Sequence, residues 1–316
     1  MKKLLVGIGI SIVVIVLILK KIDVKEIFQL LEKINYTYMV QVFFFQILGT
    51  IAFSFRWYYF LEKQIKVKHA ISSSFIGYGA NMVLPARGGD LFRVYYCRSE
   101  TQFQSLNLLS KLFIEKAIDF IFVILMGVIA FFFLGKNYTD ERSIAIFLIS
   151  GILVAGILIT LYLIRYQLKL LLPVLSYAFK LIKKDDFYKS HIENHIVDFN
   201  EFLQIRNFIK PIILTFFFWL FNVCAYIYAN LMMNYDLSIL EIVFVLFLGA
   251  MSLAVPSAPS GLGVFHGAVV SAFILLNRDI KVGLVYATIL HLVAFISFTV
   301  IGLVFYLYWL YRRRHT

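Results

Sequence analysis

Apolar runs long enough to cross a bilayer recur along this chain, and two of its apolar stretches are broken in the same way. A membrane helix needs about 20 consecutive apolar residues. Full spans are expected near residues 4–20, 38–60, 112–134, 143–164, 211–233 and 282–309. The first broken stretch is Gly77 to Leu91, GYGANMVLPARGGDL, with Gly79, Pro85, Gly88 and Gly89 as candidate helix breaks. The second is Gly249 to Val264, GAMSLAVPSAPSGLGV, with Pro256, Pro259, Gly261 and Gly263 in that role. Irregular backbone at membrane depth is tolerated only where protein buries it or it lines a polar cavity. Paired interruptions in the two halves of a chain point to a binding site of the transporter kind.

Composition supports the membrane reading. Of 316 residues, 61% are hydrophobic and only 15% charged, against about 25% charged in a soluble globule. The expected fold class is an all-α polytopic membrane protein with six full spans, two broken or re-entrant helical segments and an inverted repeat. One integral membrane domain, 1–316, divides into an N-terminal span and interfacial helix (1–36) and a first half-repeat (37–134). An extra span with a cytoplasmic amphipathic linker (135–210) and a second half-repeat (211–316) complete it. The start of the chain could be a signal peptide, but its apolar run ends in Lys20 and Lys21 with no small-x-small cleavage site, so it reads as a retained span. Asp23 to Lys33 is amphipathic and suits the interface. Cys97 and Cys224 form no metal pattern, and Cys97 reads as an inert thiol near the surface.

The formal charge of +12 is gathered at the ends of apolar runs. That is how Lys and Arg set topology, and it favours anionic lipid over nucleic acid as the partner. With the N-terminus inside, Lys2, Lys3, Lys63, Lys66, Lys68, the basic 165–210 linker and Arg312 to Arg314 all fall on the cytoplasmic side. Both termini are then cytoplasmic, in a multi-pass protein of the cell inner membrane. The arrangement requires 70–100 to leave from the inside and return there, and 239–277 to leave from the outside and return there. Two ordinary Pro-kinked spans are the alternative. Trp57, Tyr58, Tyr59, Tyr306, Tyr308 and Trp309 read as interfacial belts.

Ionisable residues within spans usually face the bundle interior. Arg56 either does so or snorkels to the surface. Lys111, Glu115 and Asp119 share a helix face, and Asp119 needs a cationic partner such as Arg87 or Arg93. Around the first break, Arg87 and Arg93 offer planar clamps for phosphate. Asp90 fits an N-cap, and Asn81 can donate and accept. The same groups could instead form a network that only holds a hairpin together. At the second break Ser257 and Ser260 supply hydroxyls. His266 and His291 are each either packing residues or headgroup contacts, and Glu241 reads as solvated. Neither a metal-ligand set nor a nucleophile–base pair nor a nucleotide motif is discernible, so no catalytic residue, metal or cofactor is expected.

Three motifs carry a resemblance: Asn81-Met-Val-Leu-Pro-Ala-Arg-Gly-Gly-Asp90-Leu-Phe-Arg93, Glu115-Lys-Ala-Ile-Asp119, and Pro256-Ser-Ala-Pro-Ser-Gly-Leu-Gly263. With Arg56-Trp57, they make the chain similar to the lysylphosphatidylglycerol synthase transmembrane-region family of flippase-like membrane proteins. The resemblance implies movement of a phospholipid or lipid-linked precursor, its headgroup held between the broken helices. The soluble aminoacyl-transferase domain of the best-known members is not seen here, so lysyl transfer is not expected. Lys116 stands where the family commonly has Arg, and His266 where it often has an acid. The alternative is a non-transporting membrane partner of a separate lipid- or glycan-modifying enzyme.

Overall fold

The computed structural model describes residues 29–84, 87–134, 204–253 and 258–315, together with Gly156, Lys180 and Phe202. The expected spans at 4–20 and 143–164, most of the 165–210 linker, and Pro85, Pro256 and Ser257 lie outside the described residues. The described elements are α1 (Met39–Phe60), α2 (Val67–Val83), α3 (Gly88–Glu100), α4 (Ser105–Leu134), α5 (Ile209–Met232), α6 (Ile239–Ser252), α7 (Val264–Leu275) and α8 (Ile280–His315).

Four helices among the described residues are long and apolar enough to cross a membrane: Tyr36–Phe60, Ser105–Leu134, Ile209–Met232 and Ile280–His315. They match the expected spans at 38–60, 112–134, 211–233 and 282–309. The protein is therefore all-α and crosses the membrane several times. The remaining helices are shorter and come in antiparallel pairs. Along α2 and α3, Gly77 faces Arg93 and Asn81 faces Gly89. Along α6 and α7, Gly249 faces Phe265, and Glu241 at the head of α6 reaches Arg278 just beyond α7.

Packing follows a paired scheme. α1 lies along α5; α2 packs on α8 as α6 packs on α4; α3 contacts α4 as α7 contacts α8; α1 meets α2 as α5 meets α6. Exchanging α1 with α5, α2 with α6, α3 with α7 and α4 with α8 leaves the α1–α5 contact in place and turns each of the others into its counterpart. The free ends of the α2–α3 hairpin share one face of the molecule with the end of α1 and the end of α8. There Lys111 bonds Glu62 at 2.6 Å, and Glu100 pairs with Arg312 and accepts from Trp309 Nε1 at 3.1 Å. The free ends of the α6–α7 hairpin lie at the opposite face, where Asn35 N–H donates to the Met232 carbonyl at 2.8 Å.

In a bilayer, lipid tails are as apolar as Leu, so helices associate through close packing at small residues. Gly79 illustrates this and corrects an expectation. It breaks no helix, because α2 runs through it to Val83. A Cβ there would sit 2.6 Å from the Phe298 carbonyl oxygen and 3.1 Å from the Gly302 Cα, so Gly79 and Gly302 are the touching point of α2 and α8. Further corrections concern residues assigned to the surface. Trp57 is fully buried and donates to the Cys97 thiol at 3.2 Å, and Cys97 is itself buried. Trp309 is also buried, among Phe92, Tyr96 and Tyr306. Glu241 is not solvated: it completes a capping box with Ser238 at the start of α6 and takes a two-pronged hydrogen bond from Arg278 at 2.8 and 3.0 Å.

Candidate functional site

The tips of the two hairpins meet in the middle of the molecule, where the 3-10 turn Pro259–Gly261 touches α2. At the first tip, α2 ends at Val83 with Leu84 extended, and α3 begins at Gly88. Arg87 caps α3 in the left-handed conformation, φ 56°, with no side-chain cap bond. Gly88 and Gly89 thus open the returning helix. Glycine is required at 89, where a Cβ would lie 2.1 Å from the Gly77 carbonyl oxygen. Asp90 is not the N-cap. It falls in the first turn of α3, where a carboxylate still suits the positive end of the helix dipole. At the second tip, Pro259 opens the 3-10 turn, Ser260 and Gly261 take positive φ, and α7 starts after Gly263 at φ 83°.

Beneath the first tip lies a buried ion network. Arg56 is fully buried and does not snorkel. Its guanidinium grips Asp119 with both nitrogens, at 2.5 and 2.9 Å, and reaches Thr215 of α5 at 2.9 Å. Arg93, equally buried, bonds Glu115 at 2.6 Å and stacks over Trp57 with 4.1 Å to the ring centroid. The cation expected for Asp119 is therefore Arg56, neither Arg87 nor Arg93. Lys111 does not join a stripe with Glu115 but turns to Glu62. Lys116 bridges Asp90 at 3.2 Å and Glu115 at 3.7 Å, and Asn81 Nδ2 reaches Asp90 at 3.5 Å. Charges buried this deeply persist only when paired, and α1, α3, α4 and α5 each contribute to the pairing.

Arg87 differs from the rest. It is exposed, and among the described residues it has no hydrogen bond or ion pair. It lines a cavity of about 390 Å³ between the two halves. Asn81 faces this cavity from the first break and Ser260 from the second, joined by Lys116 and Asp119 of α4, Phe265 of α7 and His291 of α8. Arg56, Arg93 and Glu115 stand behind its wall. Gln46, Thr50, Trp219, Asn222 and Tyr226 line it from α1 and α5. His266 is buried beside His291, with ring centroids 5.1 Å apart, and is not among the lining residues. His291 Nε2 lies 3.2 Å from the Ser260 carbonyl oxygen, which ties α8 to the second tip.

The residues on α1 and α5 had no place in the sequence reading. Their signal was present: Gln46 and Thr50 are four apart, and Thr215, Trp219, Asn222 and Tyr226 follow at helical spacing, so each set shares one face. Single polar residues in apolar helices carry little weight until the facing helix is known. Among the described residues no group of His, Cys, Asp and Glu could hold a metal ion.

A family model described as the lysylphosphatidylglycerol synthase TM region matches residues 4–302. The chain belongs to that family. The matching model is that of the membrane region of the synthase. Among curated proteins, UPF0104 membrane protein MJ1078 of Methanocaldococcus jannaschii is 25% identical over 231 residues, 72% of this chain and 92% of the relative. UPF0104 membrane protein MJ1595 of the same organism is 24% identical over 311 residues, 93% of this chain and 91% of the relative. No solved structure matches the chain.

Proposed function

We propose that this protein is a flippase-like translocase for an anionic phospholipid or a lipid-linked precursor, and that the headgroup is held between the two broken helices while the tails stay in lipid. The observation that carries the reading is the cavity that touches both breaks, with Arg87, which has no hydrogen bond or ion pair among the described residues, at its wall. A guanidinium facing a cavity at membrane depth is costly unless it meets an anion, and Arg is shaped to grip phosphate with two nitrogens. Arg87, Asn81 and Lys116 would receive the head. Asp90 holds Lys116 when the site is empty, and Arg56, Arg93, Glu115 and Asp119 fix the wall. Ser260, with Ser257 beside it in sequence, would meet the head from the second break. His266 would act through His291 as a packing neighbour.

In this reading the halves 37–134 and 211–316 form an inverted repeat within one membrane domain, supported by the exchange of packing partners between them. Both termini lie in the cytoplasm of a cell whose inner membrane holds the protein, as the distribution of Lys and Arg favours. The α2–α3 hairpin enters from the cytoplasmic face and the α6–α7 hairpin from the outer face.

Reconstitution tests the proposal. Fluorescent phosphatidylglycerol in vesicles containing the protein should become fully reducible by external dithionite, whereas protein-free vesicles should keep their inner leaflet protected. Equal protection in both would overturn translocation and favour a non-transporting partner of a lipid- or glycan-modifying enzyme.

A further inference from the structure

At the free end of the α2–α3 hairpin, one histidine is bonded to the end of α8 in a way that only its neutral form permits. His69 lies in the first turn of α2, outside the four spans, and is buried. Its Nδ1 is 2.9 Å from the Tyr96 hydroxyl of α3, and its Nε2 is 3.1 Å from Arg312 Nη1 of α8. A guanidinium can only donate. The bonding therefore assigns the hydrogen to Nδ1, which donates to Tyr96, and leaves Nε2 as the acceptor for Arg312. The same Nε2 lies 3.5 Å from Glu100 Oε2, and a carboxylate can only accept. Nε2 can serve one of the two at a time. Glu100 also holds Arg312 and accepts from Trp309 Nε1 at 3.1 Å, so α2, α3 and α8 are tied together at this point.

A proton on His69 changes the partners. Nε2–H must then turn from Arg312 to Glu100, and the imidazolium and the guanidinium stand as like charges over one shared carboxylate. A cavity of about 230 Å³ beside them, lined by Lys68, Ser72, Phe305 and Tyr308, leaves the Arg312 side chain room to move away. The charged and titratable groups around His69 are Lys68 of its own helix with Lys66 at the cap, Tyr96 and Glu100 from α3, and Tyr308 and Arg312 from α8. Burial is the largest influence and pushes the imidazole below its usual range; Glu100 opposes this, and Arg312, Lys68 and Lys66 reinforce it. The folded protein thus binds fewer protons here than an unfolded chain, so the stability from the neutral arrangement is complete above about pH 6.5 and is lost as the pH falls below it. We infer that His69, Glu100 and Arg312 form an acid-released latch: the neutral imidazole holds the end of α8 on the legs of the α2–α3 hairpin, and protonation lets α8 part from them. The hairpin belongs to one half of the molecule and α8 to the other. The latch therefore governs how far the halves separate at this face, whatever the central cavity carries.

Spin labels on Gln64→Cys and Arg314→Cys, both exposed, report the separation of the start of α2 from the end of α8. The full chain, in a background without reactive thiols, is measured in detergent by double electron–electron resonance from about pH 8 to about pH 5, a range that brackets ordinary histidine titration. One short distance is expected at the upper end. A longer one should grow at its expense on acidification, with a midpoint below about pH 6.5. His69→Gln keeps an amide oxygen that can accept from Arg312 and has no proton to gain in this range, so it should hold the short distance throughout. Arg312→Gln removes the held group and should show the long distance throughout. Distances in the parent that do not change with pH would overturn the latch. So would a pH response that survives in His69→Gln or, should that variant not fold, in Arg312→Gln. None of these outcomes involves a lipid, so the translocase reading stands or falls separately.

Discussion

Arg56 and Arg87 carry the same charge toward the same part of the molecule, yet their neighbours give them opposite roles. Arg56 is fully buried against Asp119, Glu115 and Thr215, so its loss strands a buried carboxylate. Arg56→Met should destabilise the protein by about 3–5 kcal/mol, the usual cost of breaking a buried pair, and the double variant with Asp119→Asn should recover part of it. Unfolding in mixed detergent micelles would measure both. Arg87→Ala strands nothing among the described residues. It should change stability by no more than about 0.5 kcal/mol while abolishing lipid movement, and Arg87→Lys should restore it only in part because the fork geometry is lost. The sequence pointed to these residues because charge inside apolar runs is conspicuous. It did not reveal who pairs with whom, since Arg56 reaches Asp119 only once α1 and α4 are rotated against each other. Gln46 and Asn222 escaped notice because a lone amide in a span becomes meaningful only across from its cavity.

Among the elements, the hairpin legs depend on backbones that touch. Gly89→Ala would push a methyl into the Gly77 carbonyl, 2.1 Å away, and should prevent the α2–α3 hairpin from closing, read as loss of monodisperse protein on size exclusion. Gly302→Leu should separate α8 from α2 and lower the melting temperature, with little rescue from the flexible tails around it, since the atoms it meets are backbone. Ser238→Ala should cost about 1 kcal/mol through the lost cap of α6, with transport unaffected. Four spans were legible from length and apolarity alone. Gly79 was misread because a glycine within an apolar run signals a break or a close contact equally well. Asp90 was misplaced by three residues because Arg87 takes the left-handed cap that a carboxylate N-cap would not need.

Across the whole molecule, each hairpin should open to its own side of the membrane. In a background without reactive thiols, Asn277→Cys, exposed between α7 and α8, should label in intact cells with an impermeant maleimide. Lys63→Cys, exposed between α1 and α2, should label only after permeabilisation. Labelling of both from the same side would contradict the opposed hairpins. The paired packing of the halves could be suspected from two apolar stretches broken in the same way, but contacts such as α2 on α8 and α6 on α4 exist only in three dimensions. The central claim is that a lipid head crosses through the cavity between the two breaks. The most direct measurement is the rate of headgroup crossing in vesicles when that cavity is filled by Ala294→Trp or Ala250→Trp, both at its wall. Folded protein with crossing reduced to the protein-free level is the predicted result; folded protein that moves lipid at the parent rate would contradict it.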